Sequence, residues 1–330
     1  MEFSQAANNT PTTSQPSLEG GAPKTLNEML VTLNDGPRNA LVYYSPTERI
    51  ELSTHVTRMW MAKVCGLLST EASPSSQVRL SLPWHWRTVM WASGALLAGH
   101  YVSFTTPTEN IHDDAIASHV SAASTSSQTV TNDVSPYVPE SLISSLLTQA
   151  FSQADYTDSS DHPLKEFWGD TVSVACNETA LDDNADTQIL TPLSSLALSW
   201  PGELPPLVID GAADLMTYPD TLQPAPVSAN TCAYSIHRSL LDSTFPTPPH
   251  GPMVTMTQQQ VAYLVHAAAQ KLNTYASSPL SPILLDGRTL SSASGILMTW
   301  AAWSCGRGVV ILSPDCDEHT AQAAIRQEGC

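Results

Sequence analysis

Short β-type apolar runs alternate with longer stretches of helical spacing along most of this chain. Leu26, Met29, Leu30 and Leu33 fall on one face and predict a short helix. LVYY at 41–44 and RIEL at 49–52 flank a Ser-Pro turn and predict a hairpin. Ser53 is placed to cap a helix that presents Val56, Met59, Trp60, Val64, Leu67 and Leu68 on one side. Gln77–Leu82 predicts a strand ended by Pro83, Trp84–Leu97 an apolar helix stopped by Gly99, and Tyr101–Phe104 a second strand. A strand, a helix and a strand in so short a span form a βαβ unit. That unit implies a parallel sheet and a right-handed crossover.

Beyond it the pattern is looser. Residues 105–135 are rich in Ser and Thr and read as a mobile insertion, followed by a helix over 139–151. VSVAC at 172–176 and PPLVID at 205–210 read as strands, 181–188 as a polar loop, and Thr191–Leu198 as a helix start. Residues 217–233 are Pro-rich and irregular. Thr257–Leu272 and Ile296–Trp303 predict helices, and GVVIL at 308–312 a strand. A last helix is predicted from near Pro314, with Asp315, Asp317 and Glu318 suited to its N-terminal dipole. Residues 1–23 hold too little apolar surface to fold and read as a disordered tail, leaving 24–330 as one domain. The alternation argues for an α/β fold, with parallel or mixed sheets and helices on both faces.

Charge narrows the partners. The chain carries 13 basic and 31 acidic residues, a net charge of −18. Such a surface repels phosphate backbones and anionic lipid, so neither nucleic acid nor membrane is an expected partner. No uncharged apolar stretch reaches the roughly 18 residues that span a bilayer. The N-terminus has neither the basic start nor the apolar run of a signal peptide, so a cytoplasmic protein is expected.

The six cysteines form no C-x-x-C pair and frame neither a disulfide set nor a zinc site. The run Asp182-Asp183-Asn184-Ala185-Asp186 begins like a calcium loop, but Thr187 replaces its glycine and Leu193 its bidentate Glu. Cys316, Asp317, Glu318 and His319 are adjacent at a helix start, where side chains diverge; no metal is expected. Neither a G-x-S-x-G elbow nor a G-x-G-x-x-G loop occurs. Trp84, His85 and Trp86 follow a strand end, where open α/β sheets hold ligands. A small-molecule contact there and plain core packing of the two indoles are the two readings, and packing is favoured.

Two segments resemble the adenylate-forming superfamily of acyl-CoA synthetases, luciferases and peptide-synthetase adenylation domains. In the first, Leu41–Phe104, the order is hairpin, Ser-capped helix, Val78–Pro83, aromatic-rich helix, Ala98-Gly99 and Tyr101–Phe104. The second, 243–257, is similar in length and register to the family's phosphate loop. Ser243, Pro249, Gly251, Met253 and Thr255 occupy matching positions. Leu284–Leu312 looks like the family's next helix and strand. Within the superfamily the chain is most similar to a group of short actinobacterial proteins with the same L-P-x-H-W pattern, here Leu82, Pro83, His85 and Trp86.

The resemblance implies the front subdomains of such an enzyme, cut off before its C-terminal lid domain. It also implies an altered phosphate loop. A phosphate loop turns backbone N–H groups onto an anion, which glycines permit and a lysine reinforces. Here Thr244 and Thr247 replace the inner glycines, Phe245 and Pro246 the paired threonines, and His250 the lysine. Pro246, Pro248 and Pro249 offer no N–H. The expectation is a non-catalytic relative without cofactor, in which Ser243, Thr244, Thr247, His250 and Gly251 mark a degenerate nucleotide loop. ATP or AMP with Mg would enter only if another chain completed an acid–thiol ligase. A fold lacking its rear half also suggests self-association or a partner protein.

Overall fold

This computed structural model describes residues 25–31, 39–104, 170–237, 253–275 and 281–330, with Val138, Leu142, Ser145 and Ser278. The expected tail, the insertion at 105–135, the helix at 139–151 and the segment 243–251 lie outside the described residues.

The described elements are α1 (Leu26–Val31), β1 (Asn39–Tyr44), β2 (Arg49–Ser53), α2 (Thr54–Glu71), β3 (Gln77–Ser81), α3 (Trp86–Leu97) and β4 (Tyr101–Phe104). After them come β5 (Thr171–Ala175), β6 (Thr187–Leu190), β7 (Ile209–Asp210), β8 (Cys232–His237), β9 (Met253–Thr257) and α4 (Gln258–Tyr275). The chain closes with β10 (Ile283–Asp286), α5 (Ser292–Ser304), β11 (Val309–Leu312) and α6 (Glu318–Glu328).

The strands form two sheets. One runs β10-β11-β1-β2, parallel except for the antiparallel β1–β2 hairpin. The other runs β7-β6-β5-β3-β4-β8-β9, parallel except for the antiparallel β8–β9 pair. One continuous core lies between them. Leu41, Tyr43, Ile311 and Leu285 reach it from the first sheet, Val78, Leu80, Val102 and Val174 from the second, and α2 to α5 fill the space. Every residue of α3 is buried, which explains a run that is apolar or small apart from Arg87 and Thr88. The close α2–α3 approach passes through Gly94, where a Cβ would lie 3.0 Å from the Met61 carbonyl. The alternate residues of the first sheet, Val42, Tyr44, Leu284, Val310 and Leu312, pack under α6.

Caps place the helices as their sequences dictate. Ser53 accepts from Val56 N at the start of α2, Ser291 from Ser294 N at α5, and Asp317 from Thr320 N at α6. α6 therefore begins four residues after Pro314, because Asp317 caps it and 313–316 forms a turn. Three expectations need correction. Thr191–Leu198 is not a helix, since Pro192 and the serines leave it irregular. The polar loop at 181–188 already contains the first residues of β6. Of PPLVID only Ile209–Asp210 pairs, because Pro205 and Pro206 cannot donate to a ladder and instead form a turn.

Candidate functional site

β3 sits in the middle of the larger sheet, with β4 on one side and β5 on the other. The chain leaves β3 in one direction and later returns in the other, so its carboxyl end is a topological switch point, where open α/β sheets form crevices. Leu82–Arg87 occupies that end. The same segment touches the first sheet: Trp84 Nε1 donates to the Leu285 carbonyl at 3.5 Å, and the rings of Tyr43 and His85 meet edge to face at 4.5 Å.

The indoles are core. Trp84 and Trp86 are each 2% exposed. A Cβ on Gly287 would lie 2.6 Å from the Trp84 ring, and one on Gly295 would lie 2.7 Å from it, so both positions are kept bare for that indole. Trp86 packs edge to face on Trp60 at 5.4 Å and donates its Nε1 to Ser195 Oγ at 3.1 Å.

His85 is the N-cap of α3, and its Nδ1 accepts from Arg87 N at 3.1 Å. In the neutral ring the proton then sits on Nε2. That nitrogen is buried without a hydrogen-bond partner, although the Leu193 backbone is near enough to favour the charged ring. Burial, together with the Arg87 charge, brings the imidazole down to about 3, against the Leu193 contribution. At neutral pH this histidine is a donor with its acceptor atom occupied, which does not suit a general base.

Arg87 was not foreseen from sequence. Its guanidinium is buried and makes no ion pair among the described residues. It stacks over Trp86 and Trp60 with centroid distances of 4.7 and 5.5 Å. One nitrogen donates to the carbonyls of Ser194, Ser195 and Ala197. Burial lowers its pKa to about 10, opposed by the charges of Glu48 and Asp210. Glu48 in turn accepts from Ser195 N at 3.3 Å. The loop 193–197 is thereby fastened near the carboxyl end of β3 by Arg87, Trp86 and Glu48. The one sequence signal was an arginine inside an otherwise apolar run, WHWRTVMW.

The remaining candidates have structural partners. Asp182 pairs with Arg79 and accepts from Asn184 N, so the calcium-like run is a capped loop. Glu318 pairs with Arg288, which also binds Asp286 at 2.7 Å. Among the described residues no group of three or more His, Cys, Asp or Glu is placed to hold a metal, and no helix is long and apolar enough to cross a membrane. Ser243, Thr244, Thr247, His250 and Gly251 fall between β8 and β9, outside the described residues; their flanking strands pair antiparallel from Cys232–Thr257 to His237–Met253.

No protein-family model matches the sequence, and neither does any curated protein. Solved structures do match. The chain overlays 92% of its length on 46% of an acyl-CoA synthetase from Brucella canis, with a TM-score of 0.58 and 14% identity. It overlays 92% of its length on 24% of the nonribosomal peptide synthetase FmoA3 (S1046A), with a TM-score of 0.53 and 14% identity. The fold is that of the N-terminal part of adenylate-forming enzymes. A further match is VinN in complex with L-aspartate, over 93% of this chain and 65% of that one, with a TM-score of 0.51 and 14% identity. The chain spans about half the length of the Brucella synthetase, at 46%. At this identity the likeness to adenylate-forming enzymes establishes the fold and not the chemistry.

Proposed function

We infer that this protein keeps the adenylate-forming fold without adenylating chemistry and acts by binding, as a soluble cytoplasmic protein. The supporting observation is the donor set between β8 and β9. A triphosphate needs several convergent N–H groups and a positive charge. Residues 243–251 contain three prolines and no Lys or Arg. His250 stands where the resemblance to adenylate-forming enzymes would place a lysine. That donor set does not fit ATP, and no catalytic step is routed through it.

The test is ATP–pyrophosphate exchange with a panel of carboxylic acids, alongside thermal shift with ATP-Mg²⁺, AMP and acyl-CoAs. No exchange and no shift by ATP-Mg²⁺ are expected. Exchange above background would instead support an AMP-forming acid–thiol ligase working with another chain.

A further inference from the structure

Leu207 is poorly placed for folding in two respects. It is 100% exposed, and its φ is +67°. Val208 N donates to the Pro205 carbonyl at 3.2 Å, closing a turn with Pro206 second and Leu207 third. The third position of a turn with a left-handed residue there suits glycine, and a side chain disfavours it. A wholly exposed leucine recovers nothing from packing in return. Such a break in local rules, uncompensated within the fold, points to a contact outside it.

Leu207 has company. Leu196 is 80% exposed and Leu198 is 72% exposed, on the same connection between β6 and β7. The backbone beneath them is anchored. Arg87 holds the carbonyls of Ser194, Ser195 and Ala197, and Trp200 N donates to the Asp210 carboxylate at 2.8 Å. Trp200 and Leu204 pack on a small satellite core of Ala175, Leu190 and Val208. These leucines therefore project from a fixed frame and present apolar surface to solvent.

Apart from the buried Arg87 beneath the loop, this stretch of chain contributes charge of one sign. From Asp170 to His237 the chain has nine Asp or Glu residues and no Lys or Arg. Ala180 and Leu181 share the satellite core with Trp200 and Leu204, which brings the exposed Glu178 and Glu203 to the same end of the sheet. A second copy would set like charge against like.

We propose that the β6–β7 loop is a docking surface for a cationic amphipathic segment of another protein. Its apolar side chains meet Leu196, Leu198 and Leu207, and its Lys or Arg residues meet Glu178 and Glu203. This deepens the binding role inferred above and does not depend on the state of the phosphate loop. Nucleotide exchange reads a different segment, so either reading can fail alone.

The experiment compares the full chain with its L196S/L198S/L207G variant by fluorescence anisotropy. The probes are a labelled amphipathic Lys/Leu peptide, a Lys/Ser peptide of equal charge and a Glu/Leu peptide. The Lys/Leu peptide is expected to bind most tightly, and added salt to weaken it. The variant is expected to lose about ten-fold or more in affinity, roughly one hot-spot side chain's worth. Its thermal midpoint is expected to stay level or rise, because glycine suits φ +67°. Equal binding of the Lys/Leu and Lys/Ser peptides, or of the native chain and the variant, would reduce the effect to diffuse charge and overturn the proposal. Concentration-dependent self-association that the variant abolishes would overturn it in favour of a second copy. If the triple variant unfolds, L207G alone decides: full affinity in it overturns the proposal, and a measurable loss upholds it.

Discussion

The four-stranded sheet is apolar on both faces at β11 and β1, with Arg49 and Glu51 of β2 forming a charged edge beside them. Leu41, Tyr43 and Ile311 turn toward the central helices, while Val42, Leu284 and Val310 turn toward α6. The seven-stranded sheet is apolar across one face, and on the other it carries only the small cluster at Ala175 and Leu190. On that second face, Gln188, Ser173, Arg79, Ser103, Ser235 and Thr255 stand side by side in register across six strands. Hydrogen bonds occupy much of that row: Gln77 donates to Ser103 at 3.0 Å, Thr255 to Ser235 at 3.2 Å, and Asp182 N to Ser173 at 3.0 Å. The inner strands of the first sheet are thus committed to packing on both sides. The second divides its work between a packed side and a side built from hydrogen-bonding groups.

Substitutions separate these roles, and the largest effect belongs to the residue joining the sheets. Trp84→Ala is expected to cost about 3–5 kcal/mol, because it empties the space that Gly287 and Gly295 leave for the ring. Urea unfolding checks it; a loss well under 1 kcal/mol would mean the sheets are held together elsewhere. Leu284→Ala, on the α6 face of the first sheet, is expected to cost roughly 2–5 kcal/mol in the same assay.

Acid supplies a third contrast. His85 titrates near 3 when folded and near its ordinary value of about 6.5 when unfolded, so the unfolded chain binds the extra proton between those values. Its contribution to stability is complete above about 6.5 and is lost as pH falls toward 3, with a slope of at most about 1.4 kcal/mol per pH unit. His100 is also buried and is shifted down by burial, against a smaller opposing contribution from the Leu68 backbone, so it adds in the same direction. His85→Asn keeps an N-cap acceptor and is expected to flatten the acid limb of a stability–pH curve. An unchanged limb would assign it to other groups. The smallest effect is expected on the polar row: Ser173→Ala removes one acceptor and costs about 0.5–1.5 kcal/mol. A cost equal to that of Leu284→Ala would erase the distinction between the two outer faces.

Much of the first sheet and of the β3–α3–β4 unit was legible from sequence, because buried parallel strands and amphipathic or wholly apolar helices write strong local patterns. LVYY, QVRLS, YVSF and GVVIL all lie in or overlap strands. The edges of the second sheet were harder to read. β6 is four residues, TQIL, beginning inside a polar stretch, and β7 is two residues behind a diproline. β8 follows a Pro-rich run and mixes Cys, Ala, Ser and His with its apolar residues. Their strand character comes from neighbours supplied by distant parts of the chain. The same holds at the candidate site. The aromatic cluster at 84–86 stood out in sequence, but Arg87's carbonyl partners lie more than a hundred residues away and no local pattern announces them.

The antiparallel ladder of β8 and β9 has a bearing on how such a protein can exist. The pair runs from Cys232–Thr257 to His237–Met253 with a register shift between Cys232 and Tyr234, and Tyr234 anchors β8 by donating its hydroxyl to the Ala293 carbonyl at 2.7 Å. Among the described residues, the strands themselves hold this edge of the sheet to the rest of the molecule. An edge pinned by an antiparallel partner and by a hydroxyl reaching into α5 resists fraying and leaves few ladder groups of β8 free for a stray strand.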